Sequence, residues 1–503
     1  MTTADLTSAD RMESTLAPTR ILLWLTGIAL ALAAARAGSS GWDTPIWFDE
    51  SYTATIATQP DFERLIDWCL HELSGPVYYT LMWFWVKIFG ASAFALRLPS
   101  LIFTVVAPIL ILWKGHPSRD VRLVWAVLIA LWLPAVTFAS QARPYAMLFM
   151  LGTVQAILFY RLIAQGGLGR AFAWSIVSAL LILTHYHTLP VTAFQGLIYI
   201  AMRPREIGRT WPAALVFAPV VLWISAHLPF VLSYMKPGVA WFAPLAFSES
   251  WNIPIMLMGG NLVVGLLFVA MVPMLAHQFI RGFARKSIAP YSAADLATAG
   301  ASIMAVLVLV ILGFFKPVLI LRYLVPCIPG LLFGVAVWTA AISRKFSLLP
   351  IAVIVTAIIC GASQLNDLVK NADQDFRHIF SFDKPSAWLQ QQGVRRLVFF
   401  WDNVSASIST PERTGEMGSY FLRSKGWRGD VIVPPIAGQH INPNVALAAI
   451  ATRPGDGIIW TYDENAGNAQ GVKYPPVLGN KGTPYRCRNF GGGAIKVITC
   501  IRR

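Results

Sequence analysis

Two adjacent acidic residues, Asp49 and Glu50, follow the first strongly apolar segment of the chain, in the stretch Trp-Phe-Asp-Glu-Ser-Tyr at 47–52. Carboxylates beside a membrane segment are costly to bury, and residues of this kind are usually functional. A carboxylate at the edge of a bilayer can accept a proton from a hydroxyl group. The pair therefore predicts general-base chemistry. A helix N-cap or a solvated loop acid is the structural alternative.

Basic residues that suit an anionic ligand occur later in the sequence. Arg143 lies in Ser-Gln-Ala-Arg-Pro-Tyr at 140–145, and Lys316 and Arg322 bracket the start of another apolar run. A guanidinium group presents a fork of donors that matches a phosphate, and an ammonium group adds a further positive charge. We predict that Arg143, Lys316 and Arg322 bind a phosphate. Anchoring at the membrane interface is the alternative for each of them.

His185 and His187 end a further apolar run with Tyr186 between them, which indicates a polar site rather than a core histidine. The two imidazoles could also bind a divalent metal together with Asp49 or Glu50. Residues two apart on a helix point about 200° away from each other, which does not favour a shared metal. We therefore predict no cofactor, with a divalent metal as the weaker alternative.

Composition sets the class of protein that contains these residues. Of the 503 residues, 56% are hydrophobic and only 13% are charged, which indicates a multi-pass membrane protein. The net charge of +15 could suggest nucleic-acid binding, but the basic residues form short clusters between apolar runs. That distribution follows the positive-inside rule, so we predict no nucleic-acid partner.

The apolar runs predict about eleven membrane spans of roughly 17–25 residues. Their predicted bounds are 20–37, 96–113, 123–140, 145–163, 171–187, 189–202, 212–231, 253–276, 296–315, 323–342 and 347–363. The run at 76–89 is short for a span, and we interpret it as a helix in the outer membrane–water interface. If it did span the membrane, every later loop would lie on the opposite side.

Alternate loops contain most of the basic residues and should be cytoplasmic, together with an N-terminal tail at 1–19. These residues are Lys114, Arg119, Arg122, Arg161, Arg170, Arg203, Arg205, Arg209, Arg281, Arg285, Lys286, Arg344 and Lys345. The membrane module is then 20–363, and its first outer loop, 38–95, contains the two acids. The candidate site residues above all fall on the outer side of what we predict to be the inner, cytoplasmic membrane.

From residue 364 to 503 the sequence becomes richer in charge, Gly and Pro. Short apolar runs at 396–401, 431–433, 458–462 and 495–501 alternate with helix-like stretches at 385–392 and 445–452. We predict a small α/β domain outside the membrane, in the periplasm of a Gram-negative host. Cys487 and Cys500 in this domain are either a disulfide or two thiols.

The order of several motifs resembles the GT-C glycosyltransferases, and within them family 39, the group of protein O-mannosyltransferases and aminoarabinose transferases. The resemblance covers about residues 20–345. Its motifs are Asp49-Glu50-Ser51-Tyr52, Pro76-Val77-Tyr78-Tyr79 with an aromatic run ending at Gly90, Phe94 to Ser100, Arg143-Pro144-Tyr145, His185-Tyr186, and Lys316-Pro317 through Arg322-Tyr323.

The resemblance implies a membrane enzyme, surrounded by lipids, that transfers a sugar from a polyprenyl-phosphate carrier to an acceptor lipid, glycan or protein. The transfer inverts the anomeric configuration. Asp49 would be the base and Glu50 its neighbour in the site, with Arg143, Lys316 and Arg322 near the lipid phosphate. Tyr78, Tyr145, His185, His187 and Tyr323 are further site candidates. Where relatives have His-Pro-Pro-Leu-Tyr, this chain has Ser-Gly-Pro-Val-Tyr at 74–78, and His71 is a candidate for the missing histidine.

Two other functions remain open from the sequence. A transporter or flippase for a lipid-linked or anionic substrate would place ionisable residues near mid-span and often contains repeated halves, whereas this sequence shows no internal repeat. A sensor or assembly protein with an outer domain would tolerate the loss of Asp49. The fate of a labelled lipid-linked sugar separates these functions from a transferase.

Overall fold

The computed structural model describes most of the chain. The described residues are 3–42, 44–234, 244–285, 291–316, 319–343, 348–372, 376–378, 381–402, 410–424, 427, 429–435, 447, 450, 452–464, 485–493 and 495–503. The predicted site residues all lie within these ranges. Pro317 of the Lys-Pro motif and most of the helix-like stretch 445–452 lie outside them.

Helices make up most of the described structure. Their bounds are α1 Thr3–Gly38, α2 Phe48–Ala57, α3 Phe62–Cys69, α4 Pro76–Phe89, α5 Ala93–Lys114, α6 Arg119–Leu131, α7 Ala135–Ala139, α8 Tyr145–Gln165, α9 Leu168–Ile182, α10 Leu189–Met202, α11 Ile207–Thr210, α12 Ala218–Tyr234, α13 Ile253–Leu257, α14 Leu262–Arg285, α15 Ala293–Phe315, α16 Ile328–Ile342, α17 Leu349–Lys370, α18 Asp383–Gln391 and α19 Pro411–Ser424. The strands are β1 Arg396–Asp402, β2 Asp430–Ile432, β3 Gly457–Asp463, β4 Tyr485–Asn489 and β5 Ile495–Arg502.

The chain divides into two compact units. The first comprises Met1–Ser40, Arg97–Trp223 and Pro244–Lys370, and the second comprises Gly41–Leu96, Ile224–Ala243 and Asn371–Arg503. Most of the first outer loop, which we assigned to the membrane module, thus groups with the C-terminal region. The predicted boundaries at residues 19 and 363, and the side of the membrane on which each segment lies, stay predictions.

Within the described residues, seven helical segments are long and apolar enough to cross a membrane, and an eighth crosses if α13 and α14, bent by 104°, form one span. The protein is a multi-pass membrane protein. The other three predicted spans coincide with α6, α9 and α10, which have 13, 15 and 14 residues. These three helices are therefore shorter than the typical span of about 17–25 residues.

The early end of α6 has a local cause. Pro134 lacks the N–H group that would continue the helix, so the carbonyl groups before it need other partners. Arg36 donates to the Leu133 carbonyl at 3.2 Å, and Gln364 Nε2 donates to the same oxygen at 3.0 Å. Arg36 is only 1% exposed and also donates to Gln364 Oε1. A buried arginine therefore ties α1 and α17 to the break after α6.

The predicted outer interface helix is confirmed as a helix, α4, of 14 residues. One face of it is buried through Tyr78, Tyr79, Met82 and Trp83. Phe84, Ile88 and Phe89 are exposed by 55%, 74% and 54%. An exposed apolar stripe on so short a helix is typical of a segment that lies in a membrane interface.

The predicted C-terminal α/β fold is confirmed. Its five strands form one sheet in the order β2-β1-β3-β5-β4, in which β1 runs parallel to β2 and β3, and β5 runs antiparallel to β3 and β4. Phe400, Ile458 and Trp460 lie in its core. Cys487 and Cys500 are directly opposite each other on β4 and β5 and form a disulfide bond.

Candidate active site

The acidic pair lies in the second unit, in the first turn of α2. Glu50 is fully buried, and its Oε2 accepts a hydrogen bond from the Trp47 backbone N–H at 3.2 Å. This contact satisfies one of the backbone donors that a helix start leaves without an intrahelical acceptor. Asp49, one residue earlier, is half-buried. The fold thus uses the Glu50 carboxylate to cap the helix and leaves Asp49 partly accessible.

Aromatic side chains from the C-terminal region hold this helix start. The Phe48 ring lies 4.8 Å from the Phe382 ring and 4.9 Å from the Trp401 ring, and Tyr52 lies 6.2 Å from Trp401. Trp47 also forms an isolated antiparallel bridge with Ser381. Phe382 and Trp401 therefore pack against the start of α2, which contains Asp49, and the sequence analysis missed them because these contacts join distant parts of the chain.

His71, the candidate replacement for the missing family histidine, lies just after α3. Arg413 of α19 donates to His71 Nδ1 at 2.7 Å and to both Asp67 carboxylate oxygens at 3.1 Å. The His71 ring also lies 5.7 Å from the Phe230 ring. These contacts account for the side chain structurally, and a ligand-binding role for His71 stays a prediction.

Tyr78 lies on the buried face of α4 and is fully buried. Its ring packs edge-on against Tyr79 at 5.6 Å, and Tyr79 donates to the carboxylate of Glu72 at 3.3 Å. The motif at 76–79 thus contributes to the core of the second unit. The predicted site role of Tyr78 is not decided by these contacts and stays a prediction.

The predicted basic residues Arg143 and Arg322 lie in the first unit, next to one tyrosine. The guanidinium carbons of Arg143 and Arg322 lie 6.0 Å and 5.7 Å from the centre of the Tyr145 ring. Tyr145 is 3% exposed and Arg143 is 7% exposed. Residues 179 positions apart in the sequence are therefore brought to one aromatic ring, and their predicted role in binding a phosphate stays a prediction.

Ser100, the last residue of the motif at 94–100, supports the turn that presents Arg143. Ser100 is fully buried, and its hydroxyl donates to the Gln141 carbonyl at 2.7 Å. The Arg143 N–H donates to the same carbonyl at 2.9 Å. The sequence contained a signal for this role, since a serine directly after Leu-Pro inside an apolar run is an unusual polar residue.

His185 and His187 lie beside Tyr323, the neighbour of Arg322. The His187 ring stacks on the Tyr323 ring at 4.2 Å, and the two histidine Nδ1 atoms are 3.2 Å apart. Our expectation that the imidazoles point apart was wrong, because it assumed a helix. Residue 185 has extended backbone, with φ −162°, and α9 has already ended at Ile182.

The two imidazoles have different hydrogen-bonding roles. His185 Nδ1 accepts from the His187 backbone N–H at 3.4 Å, so His187 Nδ1 must donate the proton that lies between the rings. Burial, followed by the positive charges of His187, Arg143 and Arg322, lowers the pKa of His185 well below its ordinary value. His185 is therefore neutral at physiological pH. We call Arg143, Tyr145, His185, His187, Arg322 and Tyr323 the cationic cluster.

Lys316 differs from the two arginines. It directly follows the end of α15, its backbone N–H donates to the Leu312 carbonyl at 2.9 Å, and its side chain is exposed. Within the described ranges no hydrogen bond or ion pair links its ammonium group to the cationic cluster. Its predicted role at the phosphate stays a prediction.

The positions of the described His, Cys, Asp and Glu side chains give little support for a metal site. The described part of the chain contains no group of three or more His, Cys, Asp or Glu side chains that could hold a metal ion. The histidine pair supplies two imidazoles, one of which already uses its Nδ1 proton within the pair.

Comparison with solved structures identifies the fold. ArnT from Cupriavidus metallidurans in the apo state matches with a TM-score of 0.55 and 12% identity, over 96% of this chain and 98% of that chain. The same protein bound to undecaprenyl phosphate matches with a TM-score of 0.51 and 11% identity, over 95% and 98%. ArnT is a GT-C aminoarabinose transferase. This protein has the GT-C fold.

The GT-C fold confirms the structural side of the resemblance that the motifs predicted. No family model matches the sequence, and no curated protein matches it. At about one residue in eight identical, the shared feature is the fold alone. The chemistry must therefore be argued from the side chains of this chain.

Proposed function

We propose that this protein is a membrane glycosyltransferase that moves a sugar from a polyprenyl-phosphate carrier to the hydroxyl group of an acceptor. The reaction inverts the anomeric configuration and uses Asp49 as general base. It takes place at the outer face of the cytoplasmic membrane, and the C-terminal domain lies on the same, periplasmic side.

The observation that supports this function most is the pair of arginines at Tyr145. Positive charge inside a membrane protein is costly and usually serves a ligand or an ion path. Two guanidinium groups within about 6 Å of one buried ring, beside a histidine held neutral, provide many donors for one anion. A phosphate linked to a lipid is an anion that a multi-pass membrane protein can reach from the bilayer.

The acidic end of α2 supplies the second requirement of the reaction. Asp49 is half-buried, whereas the Glu50 carboxylate already accepts the Trp47 N–H. We therefore assign the base to Asp49 and helix capping to Glu50. That Asp49 and the cationic cluster act on one substrate is part of the proposal.

The proposed step is a single displacement. The oxygen of the acceptor hydroxyl bonds to the anomeric carbon while Asp49 accepts the proton of that hydroxyl. At the same time the bond from the anomeric carbon to the phosphate oxygen breaks. The electron pair leaves with the polyprenyl phosphate, whose increased negative charge Arg143 and Arg322 stabilise. Attack opposite to the leaving phosphate inverts the configuration.

The fold neighbour provides further support, because one of its structures contains undecaprenyl phosphate. A polyprenyl phosphate is the carrier that the proposed reaction releases. We extend this ligand to the present chain as a hypothesis, since the arginine pair offers the matching charge.

The function is tested with a radiolabelled lipid-linked sugar in membranes that contain the wild type or Asp49→Asn. The wild type should move the label from the lipid to an acceptor, and Asp49→Asn should lower this rate by about a hundredfold or more. Glu63→Gln is the matched control, because Glu63 is an exposed acid in the first turn of α3. It should transfer like the wild type.

Three results would contradict the proposal. If the label crosses the bilayer but stays on its lipid in wild-type membranes, the protein is a transporter or flippase. If no label moves at all, a sensor or assembly role is favoured. If Asp49→Asn transfers at a near-normal rate, Asp49 is not the base.

A further inference from the structure

A cavity of about 990 Å³ lies within the second unit, lined by the loop before α2, the C-terminal end of α2, the start of α5 and the helix α19. Its volume lies at the upper end of the roughly 300–1,000 Å³ that is usual for ligand pockets. The helix α2 also contains Asp49, six residues before Thr55, or about 9 Å along the helix axis. The cavity thus begins on the helix that contains the proposed base.

The lining is rich in groups that pair with sugar hydroxyls. Among the described residues that line it are hydroxyl, amide and carboxylate side chains, including Thr55, Thr58, Gln59, Asp383, Glu416 and Ser419. A hydroxyl group donates one hydrogen bond and accepts two, and carboxylate and amide oxygens accept bonds from hydroxyl donors. Such a lining suits a ligand with many hydroxyl groups.

The charges of the lining disfavour a phosphate in this cavity. Within the described lining one arginine, Arg64, stands against the carboxylates Asp383 and Glu416. Arg64 is already paired, since it donates to Glu412 at 3.0 Å and also to Glu416. Because Arg64 and Glu416 compensate each other, a phosphorylated headgroup would find no cation in the described lining that is not already paired.

Thr55 indicates where a ligand hydroxyl is expected. The residue lines the cavity and is 2% exposed, and its Oγ1 has no hydrogen-bond partner in the described structure. Burying a hydroxyl without a partner costs free energy, so a partner that arrives with a ligand explains its retention. Thr53, two residues earlier on α2, has a buried Oγ1 in the same state but does not line the cavity.

We propose that this cavity binds a neutral, hydroxyl-rich oligosaccharide, and that it is the subsite for the acceptor glycan. The assignment as an acceptor subsite rests on the glycosyltransferase function proposed above. It selects a glycan over a phosphorylated lipid headgroup as the acceptor class. Thr55 donates to or accepts from a sugar hydroxyl, and the polar side chains just after α2 and on α19 bind the remaining hydroxyls.

Binding is measured by calorimetry on the full-length protein in nanodiscs, without any donor. The probes are short neutral oligosaccharides of glucose, mannose and galactose, and the bisphosphorylated glucosamine disaccharide of a lipid A headgroup. At least one neutral oligosaccharide should bind. Thr55→Val should raise its Kd about three- to tenfold, as expected for the loss of one hydrogen bond. Thr53→Val is the matched control and should stay within about twofold.

A second variant addresses the cavity as a whole. Ser419→Trp places a large side chain from α19 into the cavity and should abolish oligosaccharide binding. Thermal unfolding of all three variants shows whether each is folded. Thr55→Val and Thr53→Val each remove a buried hydroxyl without a partner, so neither should unfold earlier than the wild type.

The inference is overturned if no neutral oligosaccharide binds, if binding is unchanged in Thr55→Val and in Ser419→Trp, or if only the bisphosphorylated disaccharide binds. Because no donor is present, this outcome is separate from the proposed function. Transfer of a labelled sugar to another acceptor, with no oligosaccharide binding, would contradict the subsite alone. Oligosaccharide binding with no transfer would contradict the glycosyltransferase and leave a glycan-binding protein.

Discussion

The N-terminal end of α2 and the cationic cluster are built in opposite ways. At α2, residues adjacent in sequence take different roles, because Glu50 caps the helix while Asp49 remains half-buried. In the cationic cluster, Arg143 and Arg322 are far apart in sequence but lie beside a single ring, Tyr145. The proposed general base at α2 is therefore a single side chain, whereas the proposed phosphate site is a group of side chains.

The largest difference is expected from the cationic cluster. Arg322→Ala should lower kcat/KM for transfer on the order of a hundredfold, because a charge-assisted contact to the phosphate is lost. Arg322→Lys keeps the charge but not the fork of hydrogen-bond donors, so its kcat/KM should lie between those of the wild type and Arg322→Ala. Lys316→Ala should lose less than Arg322→Ala, since its side chain is exposed. Equal losses in Arg322→Ala and Lys316→Ala would contradict the ranking.

The second difference concerns stability at α2. Glu50→Ala removes the acceptor of the Trp47 N–H and should lower the free energy of unfolding by about 1–2 kcal/mol. Glu50→Gln keeps an acceptor oxygen and should recover most of this loss, while Asp49→Asn should leave stability nearly unchanged. Thermal unfolding of the purified proteins measures all three. A larger loss of stability in Asp49→Asn than in Glu50→Ala would reverse the two roles.

A third difference depends on pH. The pKa of His185 is far lower in the folded protein than the ordinary value of about 6.5, so the unfolded chain binds more protons in acid. Stability should therefore be lost as the pH falls below about 6.5, by up to about 1.4 kcal/mol per pH unit. His185→Gln keeps an acceptor for His187 and should reduce this slope. Identical slopes between about pH 7 and pH 5 would show that His185 is not the group responsible.

The smallest effect is expected at Tyr145. Tyr145→Phe keeps the ring that both guanidinium groups contact, so affinity for the donor should change by less than about twofold. Tyr145→Leu removes the ring and should weaken donor affinity roughly tenfold. Donor titration of the two variants tests this. If Tyr145→Phe were as weak as Tyr145→Leu, the hydroxyl rather than the ring would be the important group.

Much of the fold was predictable from local patterns. Apolar runs with a helical length predicted helices, and all four short apolar runs after residue 364 are strands in the sheet. The Leu-Pro pair at 133–134 was a signal for the end of α6, but the length of the apolar run masked it. A carboxylate three residues after Trp47 was a weaker signal for the cap, since tryptophan is not a typical N-cap residue.

The remaining features depend on contacts between distant segments. Nothing in the sequence near Phe48 indicates that Phe382 and Trp401 pack against it. Likewise, the spacing of His185 and His187 predicted diverging rings until the backbone conformation at residue 185 was known. Residue types indicated which side chains to consider at the site, whereas the tertiary structure decided which of them contact one another.

The central claim is a division of labour in which the cationic cluster binds the donor phosphate and Asp49 performs the chemistry. The most direct test is to measure the affinity for polyprenyl phosphate and the transfer rate together in Asp49→Asn and Arg322→Ala. Asp49→Asn should keep the affinity within about twofold while transfer is lost, and Arg322→Ala should lose affinity by about tenfold or more. Loss of affinity in Asp49→Asn, with Arg322→Ala binding like the wild type, would contradict the account.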